Sequence, residues 1–460
     1  MEQNKLTKTE ILKFLMKRQY RELRSATCEM HPADLAEILE DLDENNRLIV
    51  FRLLEKELAA ETFEYMSDES RNELVEGFSD AEIVSTLEAM SLDEAADLLV
   101  DMPASVVKRI LSKSSPQTRD TLNKLLHYPE SSAGSMMTPE YIRLRRDMTV
   151  AQAFDTIRRH GENAEAIYTG YVVENNKLVG IVTVRDMLLV PLDTPISEIM
   201  DDNVISVEVT EDQEDVSRKM QHYAFSAMPV VDSEGMLVGI VTLDDALDVL
   251  TEESTEDMQK MAAILPADAT ASYFGTTVWQ HAKQRIPWLL ILMLSATFTG
   301  MITTHYEATF ASLPLLVSFM PMLMDTPGNC GNQTCTLMVR GLALGEVTTA
   351  DFMQVVWKEL RVAAIVGAIL GIVNGLRIYL MYAVFSNSYQ HVLQYSLVVS
   401  ISLFCAVLIA KLVGGTLPLI AKKAGVDPAI MATPFITTIV DACSLTVYFR
   451  IAQILFRNVM

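Results

Sequence analysis

The chain has 460 residues, half of them hydrophobic, yet its formal net charge is −23. Of its 37 basic and 60 acidic residues only 11 and 7 lie after Gly275, so the first 275 residues carry 26 and 53, a balance of −27. An acidic polar part joined to an apolar part excludes a simple water-soluble enzyme, and suits cations better than nucleic acid or an anionic membrane surface. The five cysteines show neither zinc-ligand spacing nor a disulfide framework and read as small apolar fillers. Met1 to Arg24 is charged and helical in pattern with no apolar run, so no cleavable signal peptide is expected.

Residues 25–130 read as a stack of short helices. Ser67, Ser79 and Ser91 recur every 12 residues, each opening an amphipathic stretch: SDESRNELVEGF, SDAEIVSTLEAM and SLDEAADLLVDM. Ser79 with Glu82 and Ser91 with Glu94 have capping-box spacing, in which hydroxyl and carboxylate satisfy each other's backbone N–H groups. Units this short bury their apolar faces only by stacking, so a superhelical scaffold or regulatory layer is expected.

A second repeat has a longer period. Leu178–Asp186 reads LVGIVTVRD and Leu237–Asp245 reads LVGIVTLDD, 59 residues later, each preceded by paired valines (Val172-Val173 and Val230-Val231). Each copy runs strand, amphipathic helix (Val150–His160; Asp212–Tyr223), strand, tight turn at Asn or Gly, strand, helix. The duplicated signature resembles a pair of cystathionine-β-synthase (CBS) domains. That resemblance implies a sensory module, and leaves open whether an adenine nucleotide such as ATP binds the pair. Beyond it, Glu252–Leu265 is charged, helix-prone and placed between sensor and membrane part.

From residue 276 the chain offers five hydrophobic spans. Ile286–Tyr306 has 21 residues without an acidic or basic side chain, enough to cross about 30 Å of hydrocarbon. Leu313–Leu342 is interrupted by Pro321, Pro327, Gly328 and Gly331, and an irregular backbone is expected there. The others are Val362–Phe385, Leu393–Ile420 and Ile430–Leu455. Lys283, Arg285, Arg340, Lys358, Arg361, Lys422 and Lys423 gather at alternate span ends. The positive-inside rule then puts the N-terminus and soluble part in the cytoplasm and the C-terminus outside.

Asp441, in ATPFITTIVDACSLTVYF, is the strongest chemical signal. A carboxylate inside an apolar span costs about 2.5–3.5 kcal/mol to insert and usually marks a pathway. Thr437 and Thr433 precede it by one and two helical turns, giving a polar stripe. The competing reading pairs Asp441 with Arg450 or Arg340. The second signal is PMLMDTPGNCGNQTCTLMVRGLALGE, Pro321–Glu346, whose Gly328, Asn329 and Asn332 suit a pore wall better than lipid. Carboxylate, amide and hydroxyl oxygens without a His or thiolate cluster point to Mg, Ca or Mn rather than Zn or Cu.

LMDTPGNCGNQ followed by TLMVRGLALGE, and GVDPAIMATPFITTIVD, resemble the MgtE magnesium channels, a likeness that covers essentially the whole chain. The resemblance implies a multi-domain membrane protein. Its parts are an all-α superhelical N domain at 1–130, an α/β tandem CBS pair at 131–195 and 196–252, a connecting (plug) helix at 253–275, and a five-span all-α transmembrane pore domain at 276–460. The family usually has Gly-Gly-Asn where this chain has Pro327-Gly328-Asn329, so a different local backbone is expected.

The resemblance also implies a homodimer in the cell membrane, with Asp441 of each protomer holding a hydrated Mg²⁺ and Asp427 binding a regulatory ion at the cytoplasmic mouth. Further Mg²⁺ ligands are implied at Glu61, Asp93 and Asp97, at Ser135 through a backbone oxygen, and at Asp212, Glu214, Asp245, Asp248, Glu253, Glu256 and Asp257. The expected function is a Mg²⁺-selective channel gated by cytosolic Mg²⁺, with no catalytic residues and no nucleic-acid partner. The alternative is a membrane-anchored CBS adenine-nucleotide sensor without ion flux. An intramembrane aspartyl protease is disfavoured, since only Asp325 offers a second carboxylate at that depth.

Overall fold

The structure is a computed structural model and describes residues 6–100, 102–162, 164–266, 273, 276–306, 313–382, 391–431 and 433–457, the side chains of Asp68, Glu69 and Thr433 excepted. The chain divides into two compact units, Met1–Glu253 with Thr270–Gly275, and Ser254–Ala269 with Thr276–Met460.

In the first unit ten helices (α1–α10) follow one another among the described residues, from Lys8–Met16 to Pro116–Leu125. Ser79 caps α7 (Asp80–Leu87) as its spacing predicts: its hydroxyl accepts from Glu82 N–H and its own N–H donates to the Glu82 carboxylate at 2.7 Å. The box expected at Ser91 does not form. The Ser91 N–H donates to Glu64 (3.3 Å), and Glu94 of α8 (Leu92–Val100) accepts from Arg71 instead. That bond belongs to a longer pattern. Ser67, Ser91 and Ser115 donate their N–H groups to Glu40, Glu64 and Glu88, each 27 residues earlier. A glutamate closing one helix thus satisfies the start of the third helix onward, and the stack has a two-helix repeat. Leu35, Leu39, Phe63, Leu87 and Leu99 fill its axis.

Two three-stranded sheets follow: β1 (Tyr141–Arg145), β2 (Ala166–Glu174) and β3 (Lys177–Thr183), then β4 (Val207–Glu208), β5 (Ala227–Val231) and β6 (Leu237–Thr242). In each the first strand runs parallel to the second and the second antiparallel to the third. The β2–β3 turn is Asn175-Asn176 with φ of 51° and 68°, a left-handed pair that Asn tolerates. The helices α11 (Val150–His160) and α14 (Gln213–Tyr223), with the short α12 (Val184–Leu188) and α13 (Ile196–Ile199) between them in the chain, complete the repeats.

The last CBS helix, α15 (Leu243–Met261), changes the expected boundary. The stretch assigned to a separate connecting helix at 253–275 begins as the end of α15, because no Gly or Pro interrupts the chain from Leu243 to Met261. Residues 267–272, 274 and 275 of that stretch lie outside the described residues.

The second unit holds α16 (Val278–His305), α17 (Met320–Ala343), α18 (Phe352–Tyr379), α19 (Val392–Lys423) and α20 (Thr433–Leu455). Among the described residues four stretches are long and apolar enough to cross a membrane: Val278–His305, Thr349–Tyr382, Val392–Lys423 and Pro428–Leu455. The fifth expected span, α17, is long enough but too polar to count with them. Nor is it interrupted. It runs unbroken through Pro327, whose φ suits a helix and which removes only the donor to the Leu323 carbonyl. Neighbouring helices make that tolerable.

Small residues let α17 sit tightly against its neighbours. A Cβ on Gly414 of α19 would run into the Gly331 carbonyl oxygen of α17, and one on Gly331 would lie 2.8 Å from Ile436 of α20. Beside this crossing, buried Lys411 donates to Thr334 (3.1 Å), which donates to buried Glu359 (3.0 Å), joining α17, α18 and α19. Replacing Gly414 by Ala should therefore cost about 1–3 kcal/mol, read as a lower thermal midpoint of the full chain in detergent. Gly300→Ala, in open space, should leave that midpoint unchanged.

Candidate functional site

The polar residues of α17 and α20 meet at one cavity. The two helices run in opposite directions, with Gly331 beside Ile436, Gly328 beside Thr437 and, in the turn just before α17, the Leu316 carbonyl accepting from Tyr448 of α20. Between them lies a cavity of 610 Å³, with Asp325, Gly328 and Asn329 on one wall and Thr437 and Asp441 on the other. Asn329 Nδ2 donates to Asp325 Oδ2 at 3.3 Å. Neither aspartate has an ion pair among the described residues. Arg340, one alternative partner for Asp441, instead pairs with Glu346 at 3.7 Å. Asn332 is absent from the cavity wall, and its Oδ1 is buried with no hydrogen-bond partner. Thr433 falls on α20, its side chain outside the described residues.

Asp427, just before α20, is in a different state. Its Oδ1 accepts from the Ala429 N–H (2.8 Å) and its Oδ2 meets the Lys260 ammonium at 2.6 Å. Lys260 also bonds Glu256, one turn back on α15, at 2.8 Å. The chain's own ammonium thus stands where the sequence leads one to expect a metal ion.

In the first unit, acids far apart in sequence converge on Asp93. This residue is 7% exposed, and its Oδ1 has no hydrogen-bond partner. Burial raises its pKa, and the Asp244 charge adds to the rise. Burial, opposed by Arg71 and reinforced by Asp97 and Asp93, pushes Glu94 up to about 8. Burial and then Asp93 hold Asp245 and Glu165 up at about 7, and raise Glu140. Glu64 is raised by burial, then Asp93 and Glu61, against its bond from Ser91. Asp248 is raised by burial and by Asp244. Among the described residues no three of these acids are close enough to form a metal cage.

Of the acids singled out in the sequence, Glu61, Asp93, Asp97, Asp245 and Asp248 belong to this neighbourhood. The others are committed elsewhere. Asp212 caps α14 and Glu214 pairs with Arg218. Glu253 accepts from Gln213, and Ser135 closes a turn with Ser132. Asp257 lies on α15, half-buried. Glu94, Glu140, Glu165 and Asp244 were missed. Glu94 looked like a cap, and the rest carry no spacing signal. The orphaned buried Asp93 oxygen and its acid neighbours are all hard oxygen donors, the type a divalent cation such as Mg²⁺ takes, although among the described residues they are not drawn together into a cage.

Residues 320–451 match the MgtE divalent cation transporter family, residues 30–131 its intracellular N domain, and residues 133–193 and 196–252 the CBS domain. A relative named magnesium transporter MgtE, from Thermus thermophilus, is 36% identical over 443 residues, 95% of this chain and 96% of its own length. The chain belongs to the MgtE family. An MgtE of the same name from Bacillus subtilis is 31% identical over 94% of this chain and 93% of its own. The crystal structure of the cytosolic domain of the Mg²⁺ channel MgtE in complex with ATP shares 38% identity and a TM-score of 0.51, covering 53% of this chain and 99% of that one. The soluble part of a magnesium transporter matches at 32% and 0.51, over 54% and 98%.

The raised carboxyls of this MgtE chain make the stability of its first unit depend on pH. A carboxyl whose pKa rises on folding takes up protons as the chain folds. Stability is then greatest in acid and falls as pH climbs from about 4, the unfolded value, through the folded values of about 7 and 8. In EDTA, residues 1–253 should melt at a higher temperature at pH 6 than at pH 8. Millimolar Mg²⁺ should restore the pH 8 value. An unchanged melt across that range would contradict the clustering.

Proposed function

We propose that the protein is a homodimeric, Mg²⁺-selective channel of the cell membrane, gated by cytosolic Mg²⁺. The observation that carries this reading is Asp441, a carboxylate on a membrane-length helix that lines a cavity and has no ion pair among the described residues. Mg²⁺ gives up water reluctantly, so a cavity of 610 Å³ lined by carboxylate, amide and hydroxyl oxygens suits it. The exposed polar stripe Asp325, Asn329, Gln333 on α17 is unfit for lipid and supports a second protomer closing the path. The relatives are named as magnesium transporters, which supports transport as the activity.

Gating follows from the Asp93 neighbourhood. With few divalent ions, Asp93, Asp97, Glu94 and Asp245 repel one another, and the soluble part favours a spread arrangement. A bound divalent ion supplies the positive charge that lets these acids approach. The compact arrangement is then preferred by the differential affinity of several weak sites, in total a few kcal/mol. Residues 253–275, from the last turns of α15 onward, serve as the plug helix, and the N-terminal unit lies in the cytoplasm with the C-terminus outside. Lys260 on Asp427 and Glu256 contributes an ion-independent part of the same closure. ATP binding at the CBS pair is a compatible second property, supported by the ATP-bound homologous cytosolic domain.

In proteoliposomes, the wild type should pass Mg²⁺, and Asp441→Asn should cut that flux on the order of 10- to 100-fold, since a bond to a charged ligand is worth roughly 1.5–3 kcal/mol. The triple change Asp93→Ala, Asp97→Ala, Asp245→Ala should leave currents running at millimolar internal Mg²⁺. A triple mutant that closes like the wild type removes the gating claim.

A further inference from the structure

We infer that Asp325 is a second charged residue of the permeation path, drawing hydrated divalent cations to the cavity where Asp441 holds them, an assignment that rests on the channel reading above. Along the α17–α20 contact, Gly331 lies beside Ile436 and Gly328 beside Thr437. One helical turn further in this opposed register, Asp325 and Asp441 come level, and both line the same 610 Å³ cavity. Asn329, one turn from Asp325 on the same face, donates to its carboxylate at 3.3 Å and lines the same cavity.

The two aspartates differ in exposure: Asp325 is exposed and Asp441 half-buried. The exposed charge reaches an approaching ion sooner, and the sheltered one holds it more strongly. Neither has a cationic partner among the described residues, although both sit on helices of the membrane unit. Two like charges on one cavity with apolar side walls, Val317 and Met320 among them, focus a negative potential that attracts a mobile cation. A purely structural role, Asp325 as an acceptor for Asn329, would need no charge at all.

The charge and the hydrogen bond are separable. Asp325→Asn keeps an acceptor for Asn329 and removes the charge, and Asp325→Glu keeps the charge. The full chain in liposomes, with a Mg²⁺-sensitive dye inside, gives half-saturating Mg²⁺ and maximal flux separately. Asp325→Asn should raise half-saturation about fivefold at low ionic strength, with maximal flux within about twofold of wild type. At about 0.5 M monovalent salt the difference should shrink to less than about twofold, because steering is screened. Asp325→Glu should restore the wild-type value. Hexaamminecobalt(III), an exchange-inert stand-in for a hydrated ion, should block Asp325→Asn more weakly than wild type. The assignment is overturned if Asp325→Asn saturates like wild type at both salt levels. It is also overturned if flux is lost without a shift in half-saturation and Asp325→Glu fails to restore it. A wild type that passes no Mg²⁺, or an Asp441→Asn variant that conducts fully, instead removes the channel reading and this assignment with it.

Discussion

A carboxylate on a membrane-length helix, with no ion pair among the described residues, is the constraint on which the second unit is built. Asp441 is tolerable only if water or an ion reaches it, and the neighbouring elements are arranged to allow that. The cavity needs α17 and α20 close together, yet not sealed. Glycine supplies the closeness, at Gly331 against Ile436 and at the Gly331–Gly414 crossing. Polar side chains prevent the seal, with Asn329 and Thr437 lining what would otherwise be a dry helix contact. The buried Lys411–Thr334–Glu359 chain then ties α17, the polar helix, to two apolar neighbours.

The same electrostatic problem recurs in the first unit with a different outcome. Asp93 and the acids around it are buried enough for their pKa values to rise, so each charge is held at a cost. Protons or a divalent ion relieve that cost, and only the ion's concentration varies at constant pH. At Asp427 the chain takes the opposite course and supplies Lys260. The acids around Asp93 are left without such compensation, while Asp427 has a direct contact to α15 from the segment just before α20.

Much of this was legible in the sequence because it is local. The capping box at Ser79, the two CBS repeats with their Asn and Gly turns, and the polar character of Pro321–Glu346 all follow from spacing along the chain. What escaped is non-local. Glu64 captures the Ser91 N–H from 27 residues away, which frees Glu94 to join the acid neighbourhood. Glu140 and Glu165 reach Asp93 only through the packing of helix stack against sheet. The expected break in the second span failed for another reason. Pro327 fits a helix whose neighbours shield the lost hydrogen bond, and Gly328 and Gly331 are there for contact rather than for turning the chain. Asp325 stood in plain view as the second carboxylate at depth, but its level with Asp441 depends on the opposed register of two helices.

An experimental map of the full-length dimer in a lipid nanodisc, with Mn²⁺ as an anomalous or difference-map marker, tests the central claim most directly. A peak in the cavity between Asp325, Asn329 and Asp441, about 4 Å from the carboxylate oxygens as an intact water shell requires, is the predicted result. Asp441 turned toward acyl chains, or capped by an arginine with no water-filled path beside it, would contradict the account.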